Sequence, residues 1–363
     1  MHAVVTGGGG YFGFRLGRAL AREGWTVILL DMNKPTCDLP DRAIFHQSDI
    51  RDYSSLYKVC DGVDCVFHTA SYGMSGPEQL RKEQVESINV GGTQNVINVC
   101  KERSISRLVY TSTINVVFTG KPIKEGDEKS IPFVPLDVHI DNYSRTKAIA
   151  EQMVLSANGC SLKDEGLLRT CVLRPSGIYG PGERRHLHRV NVERRLFSFS
   201  FGDPHARMNW VHVDNLVQAH TLAAQALTSQ RSCVASGQAY FINDGTSVNL
   251  FEWFTPLVSF TVVLSKENLQ SSPHRLSLLC LNGHLSKNIA VTHTFKIDKA
   301  RKELGYCPKP YSLMDSVEQY LKVQKPPTQS HLINSCWSSQ LHVLLLLLFG
   351  LTMVLLIYFC VLN

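Results

Sequence analysis

The eleven cysteines of the sequence include no Cys-x-x-Cys pair, and their number is odd. Neither a disulfide framework nor a cysteine-based zinc site is therefore expected, and reduced thiols in a cytosolic setting are the default. His186 and His188 offer no alternative site, because residues two apart do not face the same side of a helix. We predict no bound metal.

The sequence also lacks a strong charge of one sign, since its formal net charge is +6 over 363 residues. A charge this diffuse predicts no nucleic-acid partner, although it suits an anionic membrane surface. Hydrophobic residues make up 44% of the chain, which excludes a disordered protein and allows one large domain or two. Because the first predicted strand begins at residue 2, no cleavable signal peptide is expected.

A glycine-rich turn, residues 7–13, is the most informative stretch that is present. An apolar strand pattern over residues 2–5 precedes it, and a helical pattern over residues 14–23 follows. A second strand, residues 26–30, then ends on Asp31. Four consecutive glycines could instead form a loop without function, but the flanking strands and the acid favour a dinucleotide-binding unit.

Each position of the turn has an expected role. Gly7 permits the tight turn, Gly10 lets backbone amides approach a pyrophosphate, and Gly13 lets the helix pack closely on the strand. Tyr11 and Phe12 stand at the start of the helix, whose N-terminus faces the phosphates with its partial positive charge.

Asp31 predicts which dinucleotide is bound. Its carboxylate would accept hydrogen bonds from the adenosine ribose hydroxyls and would repel a 2′-phosphate. Met32 and Asn33 offer no arginine to receive that phosphate, although Lys34 leaves one cation nearby. NAD is therefore the expected cofactor.

Further strands are predicted at residues 43–47, 64–68 and 107–111. A long amphipathic helix is predicted over residues 78–102, with a break near residues 91–92. Strands and helices that alternate at these lengths predict a doubly wound parallel sheet, an α/β Rossmann fold.

Two side chains follow predicted strands at the edge where a cofactor would bind. Asp49 either meets the adenine edge or caps the helix that starts near Tyr53, and both alternatives stay open. Thr69 follows the fourth strand and is expected at the same cofactor edge.

Tyr143 and Lys147 are four residues apart and share one face of a predicted helix. Such a pair is usually a packing or surface pair, but downstream of a dinucleotide unit it matches the need for a base in alcohol oxidation. An ammonium nearby would lower the pKa of a tyrosine by favouring the phenolate. A hydroxyl at the end of the fifth strand, Thr113 or Ser112, could hold the substrate oxygen.

These residues resemble the extended short-chain dehydrogenase/reductases, in their 3β-hydroxysteroid dehydrogenase branch, and within it the family 42E proteins. The resemblance covers residues 1 to about 257 and about 291–321. The motifs on which it depends are Thr6-Gly7-x-x-Gly10-x-x-Gly13, Asp49-Ile50-Arg51, Asn89-Val90-x-Gly92-Thr93, Tyr110-Thr111-Ser112-Thr113, Tyr143-x-x-x-Lys147 and Arg174-Pro175-x-x-x-Tyr179-Gly180-Pro181-Gly182.

The resemblance implies a catalytic set. Tyr143 is the acid/base, and Lys147 lowers its pKa while holding the nicotinamide ribose. Thr113, rather than Ser112, takes the catalytic serine position, and Asn89 takes the role of the structural asparagine. The residues implied to bind the cofactor are Gly7, Gly10, Tyr11, Phe12, Gly13, Asp31, Asp49, Ile50, Thr69, Tyr143, Lys147, Pro175 and Ile178.

Four regions are expected along the chain. Residues 1–175 form the NAD-binding Rossmann domain, and residues 176–323 form a smaller substrate-binding region interleaved with the sheet. Residues 324–340, which include two consecutive prolines, form a linker. Residues 259–289 depart from the family pattern, which leaves the substrate lid in doubt.

An apolar run over residues 341–362 is predicted to be a transmembrane helix. Its 22 residues would span about 33 Å as a helix, against about 30 Å of hydrocarbon. Lysines precede the run and none follows it, so the catalytic part is expected to face the cytosol from a single-pass C-terminal anchor. The endoplasmic reticulum is the expected membrane.

The sequence therefore predicts NAD-dependent oxidation of a secondary alcohol on a small apolar substrate, of the steroid or sterol class by resemblance. Membrane lipid is a second expected partner, through the C-terminal helix, and a homodimer is compatible with this interpretation. Two alternatives stay open: a nucleotide-sugar epimerase or dehydratase, and a non-catalytic NAD-binding protein.

Overall fold

The computed structural model of this chain describes residues 1–183, 203, 205–249, 252–253, 291–313 and 315. They all belong to the unit Met1–Glu318, whereas a second unit, Gln319–Asn363, lies outside the described residues. The strands are β1 (His2–Thr6), β2 (Thr26–Asp31), β3 (Ala43–Gln47), β4 (Cys65–His68), β5 (Arg107–Thr111), β6 (Ile123–Gly126), β7 (Arg169–Pro175), β8 (Gly177–Tyr179), β9 (Arg207–His212), β10 (Gln238–Ile242), β11 (Ser247–Asn249) and β12 (His293–Phe295). The helices are α1 (Tyr11–Arg22), α2 (Tyr53–Val59), α3 (Lys82–Glu86), α4 (Thr93–Glu102), α5 (Asn142–Ser156) and α6 (Val213–Ala226).

Seven strands form one parallel sheet in the order β10-β7-β5-β4-β1-β2-β3. The chain begins in the middle of the sheet, adds β2 and β3 on one side, and then returns to add the remaining strands on the other side. This order confirms the predicted doubly wound Rossmann sheet. The order reverses between β1 and β4, and ligands of such sheets bind at the carboxyl ends of the strands beside this point.

Both faces of the sheet are buried at its inner strands β1, β4 and β5, which explains why β1 and β4 are continuous apolar runs. Ala3 and Val5 belong to one hydrophobic core, and Val4, which points the opposite way, belongs to the other. Helices α1 and α6 contribute to the first core, and α4 and α5 contribute to the second. Helix α5, which contains the predicted catalytic pair, therefore packs directly against the sheet.

The predicted helix over residues 78–102 is built from several pieces. Pro77–Leu80 is a 3₁₀ turn, α3 follows it, and Ser87–Gly92 is a π-helical segment that leads into α4. The expected break near residues 91–92 is therefore a widened turn rather than an interruption. Such π-helical segments frequently occur at functional sites, and Asn89 lies within this one.

A smaller sheet has the order β11-β9-β12-β6, and β8 pairs with β9. Residues beyond 175 contribute strands to both sheets, since β10 lies at the edge of the large one. The predicted domain boundaries stay predictions.

Three predicted segments, residues 259–289, the linker over residues 324–340 and the transmembrane segment over residues 341–362, lie outside the described residues. Within the part of the chain that is described, no helix is both long and apolar enough to cross a membrane.

Candidate active site

The glycine turn closes between the end of β1 and the start of α1. Gly7 has a φ of +73°, in the left-handed region that glycine adopts without strain. A Cβ atom added to Gly13 would lie 2.1 Å from the carbonyl oxygen of Gly7. The helix therefore approaches the turn more closely than a residue other than glycine at position 13 would permit. Both positions thus have the geometry that the motif predicts for them.

The remaining glycines of the turn show which side faces a ligand. A Cβ atom on Gly8 would lie 2.8 Å from Cα of Leu29, and one on Gly9 would lie 1.9 Å from the carbonyl oxygen of Asn33. Around Gly10 the nearest atom is the carbonyl oxygen of Gly7, 3.2 Å away, and Gly10 itself is exposed. The crowded glycines pack on β2, whereas Gly10 leaves an open side that fits a pyrophosphate.

Helix α1 begins at this open side. Its N-cap is Gly10, which has no side chain to accept from the first amides of the helix, so they are available to a phosphate. The side chains of the first two residues are packed into the protein, since the Phe12 ring lies 4.7 Å from the ring of His220 and the Tyr11 hydroxyl is buried. Tyr11 and Phe12 would therefore hold a phosphate through their backbone N–H groups.

Asp31, the last residue of β2, lies against the turn. One carboxylate oxygen accepts from the backbone N–H of Gly9 at 3.1 Å, and the other accepts from that of Asn33 at 2.9 Å. Each oxygen keeps a second lone pair that a ribose hydroxyl could use. Together, the open glycine turn, the uncapped helix start and this carboxylate fit a dinucleotide such as NAD.

Asp49 does not cap the following helix, because the side chain of Asp52 accepts from the N–H of Ser55 and caps α2 instead. The Asp49 carboxylate accepts from the backbone and the side chain of Arg51, and that side-chain hydrogen bond is the main reason why its pKa is lowered. Ile50 is buried in the core. The adenine contact of this segment stays a prediction.

Thr69, just after β4, is bound to the end of β1. Its Oγ1 donates to the carbonyl oxygen of Thr6 at 2.7 Å. The Thr69 Oγ1 atom would also lie 3.0 Å from a Cβ atom added to Gly7 or to Gly13. The structure therefore brings Thr69 directly under the glycine turn.

Helix α5 presents the predicted Tyr–Lys pair at the same edge of the sheet. The side chain of Asp141 caps this helix by accepting from the N–H of Ser144 at 2.6 Å. Tyr143 is 6% exposed and Lys147 is 2% exposed. Lys147 Nζ donates to the carbonyl oxygen of Thr111 at the end of β5, 2.6 Å away. Burial lowers the pKa of Lys147 to about 7.

Asn89 connects the loop after β4 to this helix. Its side-chain oxygen accepts from the N–H of Tyr72 at 2.9 Å, and its Nδ2 donates to the carbonyl oxygen of Tyr72 and to Oγ1 of Thr146, each at 3.0 Å. Thr146 in turn donates to the carbonyl oxygen of Tyr143. Asn89 thus stabilises the turn of α5 that contains the tyrosine.

The two hydroxyls that follow β5 have different partners. Ser112 Oγ donates to Glu151 Oε2 at 2.6 Å inside the protein. Thr113 Oγ1 accepts from the N–H of Asn115 at 3.2 Å, which leaves its hydrogen to donate elsewhere. Of the two predicted candidates, Thr113 is therefore the one that could hold a substrate oxygen.

Pro175 and Ile178 lie next to this edge. Strand β7 pairs with β5 and ends at Pro175, so Pro175 follows the same carboxyl edge as Thr111. Ile178 is half-buried in β8, where it pairs with Val211. Their contact with a nicotinamide stays a prediction.

Two buried polar residues of the site, Glu151 and His68, are absent from the sequence prediction. Glu151 binds Ser112 and the guanidinium of Arg174, and its position four residues after Lys147 on one helix face is the signal that could have identified it. His68 bridges Thr6 Oγ1 at 2.7 Å and Thr93 Oγ1 at 2.9 Å. Burial lowers the pKa of His68 to about 3, so this bridge is neutral.

The described residues contain no group of three histidine, cysteine, aspartate or glutamate side chains placed to hold a metal ion. The site is thus a glycine turn for a dinucleotide beside a buried Tyr–Lys pair, which is the arrangement of an extended short-chain dehydrogenase/reductase. The model of the 3-beta hydroxysteroid dehydrogenase/isomerase family matches residues 4–272, and the chain belongs to that family.

Related proteins of this family match the chain over most of its length. Short-chain dehydrogenase/reductase family 42E member 1 of Danio rerio is 49% identical over 339 residues, with 87% of each chain covered. The Homo sapiens protein of the same name is 48% identical and covers 87% of this chain and 86% of its own. The 3 beta-hydroxysteroid dehydrogenase/Delta 5-->4-isomerase of Mycobacterium tuberculosis is 32% identical, with 84% of this chain and 85% of its own covered.

Solved structures of the same fold are more distant in sequence. MoeE5 in complex with UDP-glucose and NAD is 22% identical, with a TM-score of 0.67 and coverage of 89% of this chain and 99% of its own. UDP-glucose 4-epimerase of Thermotoga maritima, with UDP-glucose, is 20% identical, with a TM-score of 0.68 and coverage of 90% and 100%. At these identities the likeness establishes the extended Rossmann fold.

Proposed function

We propose that this protein oxidises a secondary alcohol on an apolar substrate, a 3β-hydroxysteroid or sterol, with NAD. Its cofactor is NAD, the dinucleotide that the open glycine turn and Asp31 fit. One observation supports the reaction above all others: Lys147 and Tyr143 are buried on one face of α5, with Lys147 bonded to the end of β5. The glycine turn follows β1 at the same carboxyl edge of the sheet.

When bound, NAD supplies a hydride acceptor in its nicotinamide ring. Tyr143 removes the proton of the substrate hydroxyl as general base, and Thr113 donates a hydrogen bond that orients the substrate oxygen. Lys147 in its ammonium form favours the phenolate of Tyr143 and binds the nicotinamide ribose. Asn89 maintains the helical turn that presents the tyrosine.

The steroid or sterol class has two lines of support. The chain belongs to a family named for 3-beta hydroxysteroid dehydrogenation, and one relative from Mycobacterium tuberculosis has that activity in its name. The apolar run over residues 341–362 would place the site beside a membrane, where such substrates partition.

A panel of 3β-hydroxysteroids and sterols, incubated with the purified full-length chain and NAD, tests the proposal. NADH formation and a ketone product two hydrogens lighter are expected for at least one member. The matched control is the Tyr143→Phe chain, which should bind NAD and form this product roughly two to four orders of magnitude more slowly. A panel without turnover, on protein that binds NAD, would contradict the proposal and favour a non-catalytic NAD-binding protein.

Sugar-nucleotide epimerisation is the second candidate, because solved structures of this fold contain UDP-glucose. An epimerase returns the hydride to the sugar, so UDP-glucose would yield UDP-galactose without accumulation of NADH. Analysis of the sugar product by chromatography separates this outcome from steroid oxidation.

We also propose that residues 341–362 anchor the chain in the endoplasmic reticulum membrane with the catalytic part in the cytosol. The full-length chain should then resist carbonate extraction, whereas a chain that ends at Ser339 should be extracted. Protease added to intact microsomes should degrade the catalytic part. Equal extraction of both chains, or protection of the catalytic part, would contradict this topology.

A further inference from the structure

Two side chains of α5 meet two consecutive residues at the end of β5. Lys147 Nζ donates to the carbonyl oxygen of Thr111, and Ser112 Oγ donates to Glu151 Oε2, both at 2.6 Å. Lys147 and Glu151 are four residues apart and so lie on the same helix face. The lysine and the carboxylate are therefore held side by side against one strand end.

Glu151 is fully buried and well paired. Its side chain is 0% exposed and that of Arg174 is 5% exposed. Nε of Arg174 lies 3.0 Å from one carboxylate oxygen and 3.2 Å from the other, and Nη2 of the same residue also donates to Oε1. With the hydroxyl of Ser112 as a further donor, the negative charge is maintained inside the protein.

Within the described part of the chain, the carboxylate of Glu151 is the anionic group whose charge affects the pKa of Lys147. The ring centre of Tyr110 in β5 lies 4.1 Å from Nζ, and burial raises the pKa of that phenol. His68 in β4 is neutral, and Tyr143 precedes Lys147 by one helical turn. Burial lowers the pKa of Lys147 to about 7, and the Glu151 carboxylate opposes that shift.

We propose that Glu151 is a positioning residue that keeps Lys147 in its ammonium form and thereby sets the pH range over which the protein binds NAD. The inference rests on the proposed function in one respect, the contact of Lys147 with the nicotinamide ribose. Without the carboxylate, burial alone acts on Lys147, and the ammonium loses its proton at lower pH. A neutral amine presents fewer donors to the ribose, so NAD affinity falls.

The test is the dissociation constant of NAD, measured by calorimetry between pH 6 and pH 9 on the full-length chain and on Glu151→Gln. Affinity should weaken as the pH rises through the pKa of Lys147. In Glu151→Gln the midpoint of that weakening should move by about one pH unit to lower pH, the usual size of an opposite-charge effect. The measurement needs no steroid or sugar, so it is independent of whether an alcohol is oxidised.

Two matched variants separate charge from packing. Glu151→Asp keeps the charge and should restore the midpoint, and Ser112→Ala removes a hydrogen bond but keeps the charge and should leave the midpoint in place. If Glu151→Gln does not fold, the double variant Glu151→Gln with Arg174→Met, which leaves no unpaired buried charge, should shift the midpoint in the same direction by a smaller amount, because the cation paired with the carboxylate is removed as well. An unchanged midpoint in the charge-removing variants, or an equal shift in Ser112→Ala, would overturn the proposal.

Discussion

A Cβ atom on Gly13 would lie 2.1 Å from the carbonyl oxygen of Gly7, so α1 and the glycine turn are in direct backbone contact. Gly13→Ala must therefore displace the turn, and NAD affinity should fall at least about tenfold, the effect of losing one charge-assisted contact to a phosphate. Calorimetric titration with NAD measures this. Gly91→Ala is the matched control, because nothing lies within 4 Å of its Cβ position. Equal affinities of the two variants would contradict this account of the turn.

Asp31 should determine the preference for NAD over NADP. Its carboxylate is held by the N–H groups of Gly9 and Asn33 at the position where a 2′-phosphate would be repelled. NAD should bind at least about tenfold more tightly than NADP, and Asp31→Ala should narrow that difference. Asp38→Ala removes an equal charge from the exposed loop after β2 and should leave the ratio unchanged. Tighter binding of NADP by the unmodified chain would show that Asp31 has another role.

Tyr143→Phe should lower turnover by roughly two to four orders of magnitude, the usual contribution of a general base. NAD affinity should stay near that of the unmodified chain, because the glycine turn and Asp31 are untouched. Turnover of the substrate found in the steroid panel measures the first effect, and calorimetry measures the second. Tyr57→Phe, in α2, is the control and should retain full activity. Near-normal turnover of Tyr143→Phe would refute its role as the base.

His220 should make the protein less stable in mild acid. Burial lowers its pKa to about 4, and its two ring nitrogens bond Oγ1 of Thr111 at 2.7 Å and the carbonyl oxygen of Leu216 at 2.8 Å. Between about pH 6.5 and about pH 4, His220 is protonated in the unfolded chain but neutral in the folded one. The neutral folded His220 therefore contributes its full stability above about pH 6.5, and this contribution is lost as the pH falls to about 4. Between pH 7 and pH 5 this residue should account for about 2 kcal/mol of the loss.

Urea unfolding at several pH values checks this expectation. His220→Gln should show a smaller fall in the free energy of unfolding between pH 7 and pH 5 than the unmodified chain. His205→Gln, at an exposed position, should keep the full pH dependence. The same slope in all three proteins would show that folding does not lower the pKa of His220.

Much of the fold could be predicted because its determinants are local. A few neighbouring residues are enough to identify several features: the apolar runs of β1, β2 and β4, the glycine turn between β1 and α1, and the acid at the end of β2. The spacing of Tyr143 and Lys147 is likewise a local property, since residues four apart on a helix share a face. For these features the sequence by itself determined the kind of element, its order and the class of ligand.

Other expectations depended on distant residues and were incomplete or wrong. Asp49 had two predicted roles, and the helix cap is supplied by Asp52 instead, because only the bend of the chain after β3 decides which carboxylate reaches the amides. The helix predicted to start at residue 78 begins instead as a 3₁₀ turn and contains a π-helical segment. Such local variants depend on packing, as between Gly92 and Ile50.

The buried polar connections were decided by the tertiary structure alone. Glu151 binds Arg174 and Ser112, which are 23 and 39 residues away in the chain, and His68 bridges Thr6 and Thr93, which are 62 and 25 residues away. No periodicity in the sequence specifies such pairs. They exist because the doubly wound strand order brings β1, β4, β5 and β7 together at one edge, where buried polar groups must find partners.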